Sequence, residues 1–552
     1  MKLWQASIAA AATLAALPLA AAPAAKFEFV SYRALDTVPE TPTGSYRNPV
    51  LPGFQPDPSI VKVGRDFYLV TSTFSWFPGL PIYHSTDLVN WRLVGHAIDR
   101  AGQVDFSGLG TNRGLFAPAI EHHGGKFWIV NTCIECGGNY IITAERPEGP
   151  WSDPVWLEFG GIDPSLVFGT DGKAWIVYND APPGEPLYEG HRAIWLQEFD
   201  PAAMRMKPAR KLLVNGGLDI ADKPVWAEGP HIYKVGEWFY LMTAEGGTAD
   251  RHSQTIYRSR AVDGPYEAGP VNPILTQRDL DPARPDRVEA TGHADLVQLD
   301  DGNWWGVFLA TRPFAGQSTL LGRETFLLPV RWVDGWPRFL DPGQAVPSSA
   351  RRPALPGSPA ADWRHWRDEF IDPLSREWIG LRTPAVRQQV VLDRDAGVLT
   401  LVPGPDSPGG LGKPAFVGRR FRHHAAEYTT GLDFNPQREG DAAGLLAFMD
   451  ESHFLTLAIE GDAIVLRRRI APEEGERGRE IARIDRPGRG PVELRLVFDK
   501  GTATTYARAA YAGAAGEQRW QMVGSTDVEP LASVHAGLFT GLVVGPYAVS
   551  AP

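Results

Sequence analysis

Three acidic residues stand apart from the other carboxylates of the chain by their neighbours. Asp57 and Asp163 each open a run Asp-Pro-Ser followed by an aliphatic residue, and Glu228 directly precedes Gly229-Pro230-His231. Asp-Pro is by itself a common way to start a turn, so either copy alone would carry little weight. Two copies in register with Glu-Gly-Pro-His point instead to one shared centre. Three carboxylates brought together suit the acid–base hydrolysis of a glycosidic bond. One carboxylic acid protonates the leaving oxygen while a carboxylate on the other side activates water; in an inverting arrangement the two stand roughly 6.5–9.5 Å apart. The pair must differ in proton affinity, which burial and neighbouring charge bring about, and a third anion raises the pKa of the acid.

Residues so far apart in sequence need a fold that returns them to one place, and an internal repeat supplies it. Five segments share a start residue, a small residue or Pro, a strand, a Gly-containing turn, and a second strand that opens on aromatic residues. They begin at Asp57, Ala117, Asp163, Gly229 and His293. Each reads as a β-hairpin with room for two further strands before the next start. Units of about four strands match the blades of a β-propeller, where radial stacking leaves few exposed sheet edges. Five units predict five blades. Equivalent starts of the inner strands then converge on the axis, which gathers Asp57, Asp163 and His293. Glu228 lies one place before the register and reaches the same centre on its longer side chain.

The remaining composition narrows the class. With 552 residues the chain is long enough for two or more domains. A formal charge of −11 argues against nucleic acid and against an anionic membrane surface as partners, because both call for clustered Lys and Arg. No oligomeric state is read from the sequence. Residues 1–25 have the layout of a cleaved export leader: Lys2, an apolar run from Ile8 to Ala21, and small residues around Ala22–Ala25. The expected destination is periplasmic or extracellular. Cys133 and Cys136 are the two cysteines; without a thioredoxin-like context or further metal ligands nearby, they read as an incidental loop pair, open to oxidation after export. No organic cofactor is implied, since no phosphate-cradling Gly-rich helix start occurs.

The run Arg47-Asn-Pro-Val-Leu-Pro-Gly-Phe-Gln-Pro-Asp-Pro-Ser-Ile60, with Ser72-Thr-Phe-Ser-Trp-Phe-Pro-Gly79 and His84-Ser-Thr-Asp-Leu-Val-Asn-Trp91, resembles glycoside hydrolase family 43. The resemblance is to its two-domain β-xylosidase/α-L-arabinofuranosidase members. It extends through Gly161-Ile-Asp-Pro-Ser165, Trp226-Ala-Glu-Gly-Pro-His231, Ala244-Glu-Gly-Gly-Thr248, Gly292-His-Ala-Asp295 and Leu321-Gly-Arg-Glu-Thr325. It implies an inverting enzyme in which Asp57 is the general base, Glu228 the general acid, and Asp163 the residue that tunes and orients that acid. It further implies a sugar subsite lined by Phe74, Phe116, Thr248, His293 and Arg323. The expected substrate is a xylo- or arabinoxylo-oligosaccharide, cut from its end to release D-xylose or L-arabinofuranose. An arabinanase of the same family and a non-catalytic carbohydrate-binding propeller are the alternatives; the latter would be expected to have lost at least one carboxylate. The resemblance also allows a structural Ca²⁺ in the propeller channel, although the sequence has no dense oxygen-ligand loop. Two positions depart from the pattern: relatives often carry Trp at the place of Phe116, and some carry Phe at that of Ile162.

The propeller is expected over residues 45–340 and a Pro/Ser/Ala/Gly-rich linker over 341–362. Residues 363–552 then alternate through short strands with hardly any helical period, which predicts a β-sandwich. The whole chain is thus all-β, a five-bladed β-propeller followed by a C-terminal sandwich. The resemblance makes the sandwich jelly-roll or concanavalin-like. It packs on the propeller and closes the pocket with an aromatic from His535-Ala-Gly-Leu-Phe-Thr-Gly541, namely Phe539.

Overall fold

A computed structural model describes residues 23–169, 171–383, 389–510 and 519–550. Residues 1–22, most of the expected leader, lie outside the described residues. Strands make up nearly all the regular structure, with three short 3-10 turns, and no helix among the described residues is long and apolar enough to cross a membrane.

The five repeats fold into five antiparallel sheets. Blade 1 is Ser59–Val63, Asp66–Val70, Gly79–Ser85 and Arg92–Ile98. Blade 2 runs from Ala119–His123 through Lys126–Ile134 and Gly138–Ala144 to Val155–Trp156. Blade 3 is Ile162–Phe168, Ala174–Asp180, Ala193–Asp200 and Arg205–Asn215. Blade 4 comprises Glu228–Val235, Trp238–Glu245, Ser253–Ser259 and Glu267–Ala268. Blade 5 comprises Glu289–Gln298, Trp304–Thr311, Glu324–Val333 and Trp336–Arg338. Apolar side chains fill the spaces between blades: Val70, Leu80 and Ile82 of blade 1 pack in one cluster with Phe127, Ile129 and Ile142 of blade 2.

The repeat has a structural meaning at two of its positions. Its first residue takes left-handed backbone in four of the five blades, with φ of 52° at Asp57, 52° at Asp163, 53° at Gly229 and 50° at His293. In blades 3, 4 and 5 the strand register shifts across this place, between Ile162 and Ser165, Glu228 and His231, and Gly292 and Asp295. Such a bulge re-aims a side chain out of the sheet, here towards the axis. The third residue ties neighbouring inner strands together. Asp295 Oδ2 accepts from Ser59 Oγ at 2.7 Å and from the Ile60 amide at 2.8 Å, joining blade 5 to blade 1. Ser59 Oγ accepts from the Ile120 amide of blade 2, and Ser165 Oγ donates to the Pro230 carbonyl of blade 4.

The second domain is a sandwich of two sheets. One is ordered Val390–Asp393, Val398–Leu401, Ala25–Ala34, Ala425–Asp433, Val492–Asp499, Thr502–Ala509, Gln521–Asp527. The other is ordered Ala415–Phe416, Val543–Val549, Ala442–Asp450, His453–Glu460, Ala463–Arg469, Arg479–Asp485. The alternation is plain in Val492–Asp499, where Val492, Leu494, Leu496 and Phe498 are buried and Glu493, Arg495 and Val497 are only partly so. These face Leu445, Leu455, Leu457 and Leu466 of the opposite sheet in one core.

Three expectations are corrected. The sandwich does not consist of residues 363–552 alone, because Ala25–Ala34 is an inner strand of its first sheet, bonded to Val398–Leu401, Ala425–Asp433 and His365–Asp368. Its partners lie hundreds of residues away, so no local turn announces it. Residues 341–362 are not a loose linker either. Ser349–Arg351 pairs with Ser45–Arg47, and the buried Asp87 carboxylate accepts from Arg352 Nη2 at 2.6 Å and the Ser358 amide at 2.9 Å. A carboxylate taken out of water must find such donors, and here the segment supplies them. Finally, Cys133 lies within the strand Lys126–Ile134 rather than in a loop, and it forms a disulfide with Cys136 in the following turn.

Candidate active site

At the mouth of the axis is a cavity of about 360 Å³. Asp57, Phe74, Phe116, Asp163, Glu228, Thr248, His293, Arg323 and Phe539, the nine residues expected at the site, all line it. They come from different blades and, for Phe539, from the other domain. Ala117, Ile162, Val225, Trp226 and Gly247 complete the lining. A larger cleft of about 810 Å³ lies between the domains around Arg287, Arg312 and His424, and it holds none of these carboxylates.

The charged groups form two pairs around Glu228. Arg323 Nη1 donates to Asp57 Oδ1 at 3.1 Å and Ser72 Oγ donates to Asp57 Oδ2 at 2.5 Å, so both oxygens of this carboxylate have donors. His293 Nε2 stands 3.5 Å from Asp163 Oδ2, an ion-pair separation. All four charged groups are 4–6% exposed, where an unpaired charge would be costly. Burial opposes a charge on His293, but Asp163, Asp57 and Glu228 outweigh it and raise its pKa to about 9. Glu228 has the opposite balance. Burial foremost, then the Asp163 charge, push its carboxyl up to about 8, against the pull of His293 and Arg323. It therefore keeps its proton at neutral pH and can give it up to a reacting oxygen, while Asp57 meets its neighbours as an acceptor. Glycine at 229 is required by this packing, since a Cβ there would sit 2.9 Å from His293 Nε2 on backbone that is already left-handed.

The apolar wall is built across the domain boundary. Phe74 stacks on Phe54 at 6.0 Å and meets Phe116 and Phe539 edge-on at 5.3 and 5.6 Å. The Arg323 guanidinium lies 5.2 Å from the Phe539 ring centre. Phe116 is held by the Asn131 amide, which donates to its carbonyl at 2.6 Å. The loop that carries Phe539 is pinned from both sides: the Asn112 amide donates to the Ala536 carbonyl at 2.7 Å, and Thr540 Oγ1 donates to the Met449 carbonyl at 3.2 Å. Sequence reasoning missed Trp226 and Val225 as lining residues, although Trp226 stood in a quoted motif. A tryptophan packs in a core more often than it lines a site, and two residues of separation from Glu228 was the available signal. Ser72, which donates to Asp57 without lining the cavity, was not anticipated either.

The charged side chains that line the cavity do not themselves form a Ca²⁺ site. Ca²⁺ takes about 6–8 oxygen ligands. Here the oxygens of Asp57 are engaged by Arg323 and Ser72, Asp163 faces His293, and His293 is itself drawn to the cationic form. No group of three or more His, Cys, Asp or Glu among the described residues is arranged to hold a metal ion.

Residues 46–337 match the sequence profile of glycosyl hydrolases family 43, and residues 367–552 match that of the β-xylosidase C-terminal concanavalin A-like domain. A non-reducing end α-L-arabinofuranosidase of Bacteroides ovatus is 35% identical over 516 residues, covering 91% of each chain. A xylosidase/arabinosidase of Humicola insolens is 40% identical over 428 residues, covering 75% of this chain and 76% of its own. Among solved structures, a family 43 enzyme retrieved from a capybara gut metagenome superposes with a TM-score of 0.84 at 34% identity, covering 96% of this chain and all of its own. A five-bladed propeller whose axial cavity gathers Asp57, Asp163 and a Glu228 raised to about 8, joined to a concanavalin-like sandwich, thus agrees with similarity along nearly the whole chain: it belongs to glycosyl hydrolase family 43 and is a glycosidase.

Proposed function

We propose that the enzyme is an exo-acting, inverting glycosidase that releases terminal D-xylose, terminal L-arabinofuranose, or both from xylo- and arabinoxylo-oligosaccharides. The observation that carries this reading is the contrast between Glu228, raised to about 8, and Asp57, paired with Arg323, within one cavity of about 360 Å³ whose wall includes Phe539 of the sandwich. A cavity of that size with an aromatic wall suits one terminal sugar rather than the interior of a chain, which favours exo action over an arabinanase.

In this reading Asp57 takes a proton from water as it attacks the anomeric carbon, and Glu228 gives its proton to the departing oxygen. Asp163 keeps Glu228 protonated and holds His293 in place. Phe74, Phe116 and Phe539 offer apolar surface to the ring, while Thr248, His293 and Arg323 offer polar groups to its hydroxyls. Relatives named for both arabinofuranosidase and xylosidase support a pocket for either pentose. Export belongs to the same reading, supported by the leader-like start and by the Cys133–Cys136 disulfide, a bond suited to oxidising compartments.

Hydrolysis of p-nitrophenyl β-D-xyloside and α-L-arabinofuranoside tests the substrate, and inactivity on both would overturn it. NMR of the first-formed sugar during xylobiose hydrolysis should show the α-anomer; a β-anomer would exclude inversion. Glu228→Ala should abolish turnover, and unchanged hydrolysis would revive the non-catalytic alternative.

A further inference from the structure

Cleaving a glycosidic bond requires two sugars to be placed, and the groups so far assigned account for the one that is released. Resting on the proposed reaction, the position of the other follows from proton transfer. Glu228 must come within hydrogen-bond reach of the bridging oxygen, so the departing sugar begins next to whatever flanks Glu228 at the cavity mouth. Asp57, Arg323, Phe74 and Phe539 form a connected group through their ion pair and ring contacts. The segment leading into Glu228 is Val225-Trp226-Ala227, and Val225 and Trp226 both line the cavity.

This segment is built as a fixed surface. Trp226 has left-handed backbone, φ 54°, which a bulky residue adopts only when its surroundings impose it. The Trp226 amide donates to the Gly190 carbonyl at 2.9 Å, and the Val225 carbonyl accepts from the Gly246 and Gly247 amides at 2.8 and 3.2 Å. Tyr188 Oη donates to the Pro224 carbonyl at 3.0 Å, which anchors the segment at its start. The Arg192 guanidinium lies 4.2 Å from the centre of the indole and braces it. An apolar side chain is nevertheless left in the open here: Val225 is 40% exposed. A rigid indole with an exposed aliphatic neighbour, next to the acid, is surface of the kind that the apolar face of a sugar ring covers.

We propose that Trp226, with Val225 beside it, is the acceptor subsite, on which the sugar ring following the scissile bond stacks. The enzyme then selects glycosides whose leaving group is itself a sugar, as at the end of an oligosaccharide, over those of small alcohols. Trp226 is a specificity-determining residue that touches the leaving group and takes no part in proton transfer.

The test compares wild type, Trp226→Ala and Trp226→Phe on xylobiose, or on an arabinofuranosyl xylo-oligosaccharide where that is the better substrate. Competitive inhibition by the free monosaccharide serves as the measure of the released-sugar subsite. Trp226→Ala should lower kcat/KM about tenfold, the size expected of a lost aromatic stack, with the monosaccharide inhibition constant within twofold of wild type. Trp226→Phe should recover most of the loss. Equal loss of turnover and of monosaccharide binding would overturn the proposal and make Trp226 a structural support for the pocket, as would a shifted alkaline limb of the pH profile without rescue by Phe. Undiminished oligosaccharide hydrolysis by Trp226→Ala would overturn it as well. A wild-type enzyme inert on every glycoside would overturn instead the reaction on which it rests.

Discussion

Proton affinity is where single residues decide what this site does. Burial and Asp163 raise Glu228 to about 8, so an enzyme that uses it as acid should hold its kcat/KM through neutrality and fall about tenfold per pH unit once pH passes about 8. A profile that already falls between pH 5 and 6 would remove Glu228 from that role. The same shift has a consequence for stability. An ordinary glutamate ionises near 4.5 and this one near 8, so across that window the unfolded chain releases a proton that the folded chain keeps, and folding becomes less favourable as pH rises. Glu228→Gln removes that penalty. Its unfolding free energy relative to wild type should climb from pH 4.5 to 8, by on the order of 1–3 kcal/mol, in denaturant titrations at several pH values; a constant difference would contradict the assignment. His293 changes stability with pH in the same direction. Its pKa is raised from 6.5 to about 9, so the stability it adds is complete below 6.5 and is lost as pH rises through 9.

At the scale of strands, the repeat is a device with two separate outputs. Its first position turns Asp57, Asp163 and His293 towards the axis through left-handed backbone, and its third position ties blade 5 to blade 1, blade 1 to blade 2 and blade 3 to blade 4. Asp295 carries the closing tie, accepting from Ser59 Oγ, the Ile60 amide, Tyr233 Oη and its neighbour's amide at Leu296. Removing a buried acceptor strands its donors, which costs more than the bonds contributed. Asp295→Ala should therefore destabilise the protein by about 3 kcal/mol or more, seen as a lower denaturant midpoint, although Asp295 does not line the cavity; Asp295→Asn, which keeps one oxygen, should lose less. An unchanged midpoint would show that the blades close without this tie. The repeat was legible because both outputs impose residue types at fixed offsets: Asp tolerates left-handed backbone, and Ser or Asp at the third position bonds across. Blade 4 disguises it with Gly229, since the charge there moved to Glu228. Trp226 at the cavity and Ser72 on Asp57 obey no such periodicity, and their placement depends on how loops from neighbouring strands meet.

For the molecule as a whole, the two domains share the site and the chain is interlaced between them. Phe539 reaches the cavity from the sandwich, and Ala25–Ala34, which precedes the entire propeller, completes that sandwich. The later strands of the sandwich were readable from alternation. The first was not, because a strand buried on one face and paired on both edges is recognised by its partners, and these are Val398–Leu401 and Ala425–Asp433. Its loss should therefore be felt at the far end of the fold. A chain lacking residues 1–34 keeps all three carboxylates, yet it exposes the edges of two inner strands and forfeits the burial of Phe27, Val30 and Tyr32, about 1.5–3 kcal/mol for each. The sandwich should then loosen, freeing the loop that holds Phe539 against Phe74, Phe116 and Arg323. The expected result is a protein prone to edge-to-edge association with glycosidase activity reduced at least tenfold. A synthetic peptide spanning residues 25–36 should restore activity in a saturable manner by re-entering the gap as a strand. If the shortened chain matched the full-length enzyme in both thermal midpoint and kcat/KM, the strand would be dispensable packing and the sandwich would position Phe539 without it. If activity fell and the peptide bound without restoring it, the path from Ala25–Ala34 to the cavity would not run through the sheet.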